Sequence, residues 1–381
     1  MTPPALPAWP HSPTATIGDV GEHALIRWIA EVAGRPSSSD VLLGIGDDAA
    51  VVRPRRNHVD VLTTDVLVED VHFRRDFGSA ADVGHRALHV NLSDVAAMGA
   101  EPRVALLSLG LPAALEAAWV AEFVLGLAAA ARAHRVDLIG GNVSRSPALF
   151  VEVTVSGAVK PRHLLRRSGA RAGDELYVSG EVGAAAAGLA WLQYEAGDSE
   201  RSPLGEASLP IQLAVARYRR PEARVALGMQ IGRNKAASAC MDTSDGLADA
   251  LRQMAAASGV GVRIDAHALP VAGAVAAVAR LGAGDAAALT WSGGEDYELL
   301  FAVPRRGRRR FLHASGRRGL PVVTRIGVCT KDATLVVVDA DGVESPMPGG
   351  FEHFAPGSAT TRTDVAAAAA PGKPAALGER A

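Results

Sequence analysis

Apolar β-branched runs alternate with amphipathic stretches of helical period along most of the chain, a pattern that excludes a bundle or a sandwich and leaves a mixed α/β (or α+β) architecture. In the first half the pattern predicts strand Val59–Thr64, helix Ala81–Met98, strand Val104–Leu109, helix Leu115–His134 and strand Phe150–Val159. A charged, glycine-containing connector, KPRHLLRRSGARAGDE, follows and places a domain boundary near Pro161. Beyond it the expected elements are strand Leu176–Ser179, helices Gly183–Leu192 and Glu222–Gly228, strand Ala237–Met241, helix Gly246–Ser258, strands Val262–Asp265 and Leu299–Val303, helix Arg305–Ser315 and strand Val322–Ile326. At 381 residues the chain is long enough for two such domains, expected at 17–160 and 161–356. Five prolines in MTPPALPAWPHSPTAT let neither helix nor strand run through residues 1–16, which are expected to form a flexible arm. Residues 357–381, rich in Ala, Thr, Gly and Pro, offer few large apolar side chains to bury and are expected to be disordered.

A formal charge of −2 gives no global attraction to nucleic acid or anionic lipid, so function must reside in a local site. Two cysteines, Cys240 and Cys329, are too few for a disulfide framework and lack the clustering of a zinc or iron–sulfur centre. No stretch approaches the roughly 18 apolar residues of a membrane span, and Met1–Thr16 has prolines where a signal peptide has an apolar run. The expected location is the cytoplasm.

No phosphate-binding G-x-x-x-x-G-K-[ST], no G-x-S-x-G elbow and no H-E-x-x-H helix occurs. Instead, aspartates recur among small residues at predicted strand-to-loop junctions: Asp47 and Asp48 in GIGDDAAV, Asp65 in TTD, Asp94 in NLSDVAAMGA, and Asp242 and Asp245 in MDTSDGL. Such carboxylates repel one another if they converge without cations. Mg²⁺, which takes oxygen ligands and is usually shared between a few carboxylates and substrate phosphates, relieves that repulsion. Thr63, Thr64, Thr243 and Ser244 add hydroxyl oxygens, and the glycines let backbone N–H groups approach anions.

Each motif has a plainer alternative. GIGDD alone reads as a turn, and Ser244 or Asp245 could cap the helix from Gly246, although that leaves Asp242 unexplained. Asp94 lies one helical turn after Asn91, among Val90, Leu92, Val95, Ala96 and Met98, which leave little surface for solvent and favour a ligand role. Gly140-Gly141-Asn142 after the strand VDLI is either a phosphate-binding turn or a tight turn. Gly293, Gly294, Glu295 and Asp296 precede a strand as a substrate-contacting loop or an acidic turn, and His72 alone is a weak signal.

In order, GIGDDAAV, TTD with His72 seven residues later, ALHVNLSDVAAMGAEP, GGN, RRSGARAGDELYVSG, MDTSDGLAD and SGGEDYELLF resemble the bacterial thiamine-monophosphate kinases from about Ile17 to Pro356. That superfamily also holds aminoimidazole ribonucleotide synthetase, selenophosphate synthetase and the hydrogenase-maturation dehydratase. The resemblance implies an N-terminal mixed-sheet domain that binds ATP and Mg²⁺ and forms a barrel-like dimer interface. A C-terminal α/β domain completes the site, and the partners are ATP, thiamine monophosphate and a second copy of the chain. It implies several Mg²⁺ ions at Asp48, Thr63, Thr64, Asp65, Asp94, Asn142, Asp242 and Asp245, ATP contacts at Asp47, Gly141, Arg167 and Ser244, and substrate contacts at His72, Glu295 and Phe351. Phe351, in GGFEHF, suits stacking on a heteroaromatic ring.

The implied reaction is direct in-line transfer from ATP to thiamine monophosphate, giving thiamine diphosphate. The acceptor phosphate has a second pKa near ~6, so neither a general base nor a covalent residue is expected. One departure stands out: where the family has Gly-Gly-Asp-Thr-Thr-Arg-Gly this chain has GGNVSRS, so Asn142 offers a neutral carbonyl in place of a carboxylate. The absence of a cysteine near the N-terminus argues against the selenophosphate enzyme, and its absence from the tail argues against the dehydratase. A ribonucleotide synthetase-like ligase or cyclase and a non-catalytic nucleotide-binding paralogue stay open.

Overall fold

Ten residues from Val59 to Val68 pair antiparallel with Val159 back to Phe150 without a slip in register. In this computed structural model, which describes residues 7–197 and 208–349, that pair begins a four-stranded sheet in the order Val59–Val68, Phe150–Val159, Glu101–Leu111, Asp137–Arg145. The last pair is parallel, and helix Ala117–His134 makes the crossover such a pair needs. The sheet is open within the chain and does not close into a barrel.

Side chains alternate between the two faces of a strand. Val61, Thr63, Asp65 and Leu67 therefore turn toward helix Ala80–Ala97, whereas Leu62, Thr64 and Val66 turn away from it onto an exposed face. Helices Ala80–Ala97 and Ala117–His134 cover the first face and touch backbone to backbone. A Cβ on Gly84 would lie 2.0 Å from the Phe123 carbonyl oxygen, and one on Gly126 would lie 2.2 Å from that of Ala81. A Ser79–Asp82 capping box starts the first of these helices.

The second half forms a seven-stranded sheet in the order Glu344–Pro346, Leu335–Val338, Gly261–Asp265, Val323–Thr330, Glu175–Ser179, Leu299–Val303, Ala239–Asp242. All neighbours are antiparallel except Leu335–Val338 with Gly261–Asp265. Leu299–Val303 is buried on both faces, as its unbroken apolar sequence requires. Leu299, Phe301 and Val303 enter a core that also holds Leu88, Leu92, Phe123, Leu227 and Phe311, while Leu300 and Ala302 pack with Leu251 and Met254 of helix Leu247–Ser258. Helices Ala184–Ala196, Leu209–Arg219 and Gly273–Arg280 enclose a third cluster around Ala187, Ile211 and Val278.

Helix Ala80–Ala97 thus lies between the two sheets. Helix Val225–Arg233 presses on it where a Cβ on Gly228 would lie 2.0 Å from the Ala96 carbonyl oxygen.

Two expectations change. Asp65 is not at a strand end but inside Val59–Val68, opposite Val153, because the polar run TTD continues the ladder. Gly140-Gly141-Asn142 is likewise no turn: it continues strand Asp137–Arg145 beside Leu106, Leu107 and Ser108. In the described part of the proline-rich segment, Trp9 meets Trp28 edge-on at 4.9 Å and the Trp28 indole donates to the Ala8 carbonyl at 3.3 Å. Phe351 and the tail from residue 357 lie outside the described residues. No helix among the described residues is long and apolar enough to cross a membrane.

Candidate active site

Strand Val59–Val68 brings Thr63 and Asp65, helix Ala80–Ala97 brings Asp94, and strand Ala239–Asp242 with its following loop brings Asp242 and Asp245. The Thr63 hydroxyl donates to the Asp94 carboxylate, and Ser93 Oγ donates to Asp242 Oδ2 at 2.7 Å, tying the central helix to both sheets. Burial, then the charges of Asp94 and Asp245, pushes the Asp65 carboxyl up to about 6. Burial also raises Asp94, against the Thr63 hydrogen bond and the Arg167 charge. Asp242 is raised by burial, then by Asp94, against the Ser93 hydrogen bond.

Four carboxylates therefore act on one another. Among the described residues no three His, Cys, Asp or Glu side chains form a ready-made chelate. The donors are oxygens only, with no histidine or thiolate among them. That set fits a hard divalent cation completed by water and phosphate oxygens.

The predicted residues separate onto two faces of the first sheet. On the helix side, Thr63, Asp94, Asp242 and Arg167 line a cleft of about 390 Å³, with the Arg167 guanidinium hydrogen-bonded to Gln253. On the far side, Asp47, Asp48, Gly141 and Asn142 line a cleft of about 790 Å³ together with Arg103, Leu106, Thr154 and Ser156. Thr64 shares this far face, 2.9 Å from the Thr154 hydroxyl and 3.1 Å from Glu152 Oε1. Asp48 N–H donates to Asp47 Oδ1 at 2.8 Å, and Asn142 Nδ2 donates to Ser144 Oγ at 3.0 Å. Gly141 admits no side chain, because a Cβ there would lie 1.8 Å from the Leu107 carbonyl oxygen.

The loop before Leu299–Val303 borders the cluster, where Tyr297 feels the charges of Asp65 and Asp242. Glu295 and Tyr297 both take positive φ, +71° and +51°, which side chains other than glycine rarely adopt. The Glu295 N–H donates to the Ser244 carbonyl at 2.7 Å, locking this loop to the Ser244–Asp245 loop. Helix Leu247–Ser258 has Gly246 at its N-cap position. His72 follows the first strand, its Nδ1 accepting the Val68 N–H at 3.2 Å.

Asp296 has a structural task. It accepts from the N–H groups of Gly183 at 2.6 Å and Ala185 at 2.8 Å, at the start of helix Ala184–Ala196, and burial raises its carboxyl to about 7. Sequence reasoning missed Ser93 and Arg86, which reaches Glu295 as an ion pair. Arg86 had one legible signal, a cation in an apolar helix on the same face as Asp94.

A carboxylate cluster flanked by two α/β sheets defines the class. The family model for the AIR synthase related protein N-terminal domain matches residues 46–159, and that for its C-terminal domain matches residues 171–340. Within that class, the chain belongs to the thiamine-monophosphate kinase family. It is 39% identical over 339 residues to the thiamine-monophosphate kinase of Salmonella typhimurium, covering 88% of this chain and 98% of that one. The crystal structure of the thiamine-monophosphate kinase from Stenotrophomonas maltophilia K279a is 37% identical, covers 81% of this chain and 93% of that one, and superposes with a TM-score of 0.71. A structure of AaThiL complexed with AMPPCP and TMP is 33% identical, covers 90% of this chain and 100% of that one, and has a TM-score of 0.67.

Because burial, then the charges of Asp94 and Asp245, disfavours the Asp65 carboxylate, Asp65→Asn is expected to raise stability in the presence of a chelator by about 1–3 kcal/mol. The same variant is expected to lose most of the thermal stabilisation that Mg²⁺ gives the parent. Differential scanning calorimetry with and without Mg²⁺ checks both, and an unchanged Mg²⁺ response contradicts the assignment.

Proposed function

We propose that this chain transfers the γ-phosphoryl group of ATP to the phosphate of thiamine monophosphate, giving thiamine diphosphate and ADP. The observation that carries the reading is the convergence of Asp65, Asp94, Asp242 and Asp245 from both halves of the chain, in a relative of kinases named for this reaction. Our finer reading assigns several Mg²⁺ ions to Asp48, Thr63, Thr64, Asp65, Asp94, Asn142, Asp242 and Asp245. It assigns ATP contacts to Asp47, Gly141, Arg167 and Ser244, and acceptor contacts to His72, Glu295 and Phe351. It also divides the chain into domains 17–160 and 161–356 and places the protein in the cytoplasm.

The acceptor phosphate is largely a dianion at neutral pH, so its oxygen attacks without a base. One O–P bond forms as the bond from the γ-phosphorus to the ADP oxygen breaks, with no net proton transfer. Divalent cations, when bound, neutralise the phosphate oxygens and let two polyanions approach the carboxylates. The chain's own work is orientation: Thr63 fixes Asp94, Ser93 fixes Asp242, and Arg167 brings a positive charge toward Asp94. The neutral Asn142 leaves one charge fewer on the far side of the sheet.

The sorting of these residues onto two faces supports a homodimer. The far face exposes Leu62 at 72%, with Val66 farther along the same strand and Leu106 two strands away, apolar side chains set among Thr64, Thr154 and Ser156 next to the larger cleft. Two open sheets packed through this face form the barrel-like interface and bring a second copy against that cleft.

Purified protein with ATP, Mg²⁺ and thiamine monophosphate is expected to form thiamine diphosphate and ADP in equal amounts. Asp242→Ala is expected to lower kcat by about 10²-fold or more while remaining folded. ATP consumption without thiamine diphosphate, or near-parent turnover by folded Asp242→Ala, contradicts the reading. Leu62→Asp is expected to shift the protein from dimer to monomer in light scattering, and a dimer that survives the charge removes this face as the interface.

A further inference from the structure

Two turns before Asp94, on the same side of helix Ala80–Ala97, stands an arginine that the reaction as described does not use. Arg86 is only 3% exposed. Its guanidinium lies over the Tyr218 ring, 4.5 Å from the centroid, and Nη1 donates to the Tyr218 carbonyl at 2.9 Å. Nη2 pairs with Glu295 Oε1.

Glu295 is fixed from two directions. Its backbone takes the left-handed region and is hydrogen-bonded to Ser244, while its side chain is held by Arg86. The second carboxylate oxygen, Oε2, is sheltered from solvent yet accepts no hydrogen bond. A buried ion pair contributes little net stability, and a strained backbone costs about 1–3 kcal/mol, so neither feature is explained by folding alone. Tyr297, two residues on, feels the charges of Glu295, Arg86, Asp65 and Asp242, which puts the ion pair at the border of the carboxylate cluster.

We infer that Arg86 is the positioning residue of the acceptor site: it orients the Glu295 carboxylate, on a side chain that stays 28% exposed, to receive an N–H of the incoming thiamine monophosphate. The inference rests on the reading that Glu295 contacts the acceptor. The aminopyrimidine of that molecule carries an exocyclic amine as donor, and its thiazolium is a cation, so an oriented carboxylate matches it in both hydrogen bonding and charge. The fork of the guanidinium is required to hold Tyr218 and Glu295 together, which a lysine cannot reproduce.

Steady-state kinetics of the full chain test this, with KM measured separately for thiamine monophosphate and for ATP at saturating Mg²⁺. The parent is assayed first, since a parent that makes no thiamine diphosphate overturns the proposed function rather than this assignment. Arg86→Lys and Glu295→Gln are each expected to raise KM for thiamine monophosphate by about tenfold or more, with KM for ATP within about threefold of the parent. The double variant is expected to be no worse than the poorer single one, because both break the same unit. Calorimetric binding of thiamine monophosphate without nucleotide is expected to weaken by the same factor. The assignment is overturned if KM for thiamine monophosphate stays within about twofold of the parent in either folded variant. It is equally overturned if both KM values rise together with a fall in Tm, the mark of a purely structural pair.

Discussion

Mutual repulsion among Asp65, Asp94, Asp242 and Asp245 is the constraint around which this protein is arranged. Burial raises the carboxyls of Asp65, Asp94 and Asp242, and the neighbouring aspartates raise Asp65 and Asp242 further, so the folded chain favours protons or cations there. A fold can maintain such a cluster only if the surrounding structure fixes each member. Here the fixing comes from hydroxyls on other elements: Ser93 of the central helix for Asp242 and Thr63 of strand Val59–Val68 for Asp94. Both bonds cross between secondary-structure elements, so the charges and the packing of the two sheets are one problem.

Packing solves it by placing a single helix between the sheets. Ala80–Ala97 is closed in by Ala117–His134 at Gly84 and Gly126 and by Val225–Arg233 at Gly228, contacts that leave no space for a β-carbon. A helix so confined cannot shift by much without moving Asp94 relative to Asp65 on one side and Asp242 on the other. The apolar core on which it rests runs from Leu88 and Phe123 to Phe301 and Phe311, which gives the site a continuous support. Phosphoryl transfer needs little from side-chain chemistry and much from such placement.

The architecture was largely legible in the sequence, and the reasons are local. Phe150–Val159 and Leu299–Val303 form where their apolar β-branched runs predicted, because nothing in those runs competes with a strand. The strand expected over Val59–Thr64 runs on to Val68 because its neighbours in Phe150–Val159 supply a complete ladder, although Asp65 read as the residue that ends it. Gly140-Gly141-Asn142 misled in the same way: glycine signals a turn, but here it lets one strand pass close to the Leu107 backbone. The aspartates of the cluster were visible as acids set among small residues. Their division between faces was implied but not drawn: the strand expected over Val59–Thr64 already ran through Thr63 and Thr64, which alternation sets on opposite faces. Ser93 and Arg86 were hidden for a different reason, namely that Asp242 and Glu295, the groups that give them meaning, lie far along the chain.

Direct counting of bound metal tests the central claim most closely. Mn²⁺ in place of Mg²⁺, followed by electron paramagnetic resonance as it is titrated into the protein with AMPPCP, reports how many ions the nucleotide-loaded chain holds. The account predicts more than one Mn²⁺ per chain with the nucleotide, weak binding without it, and loss of tight sites in Asp94→Asn. Full occupancy retained by folded Asp94→Asn would contradict it, because the carboxylate at the meeting point of both sheets would then hold no ion.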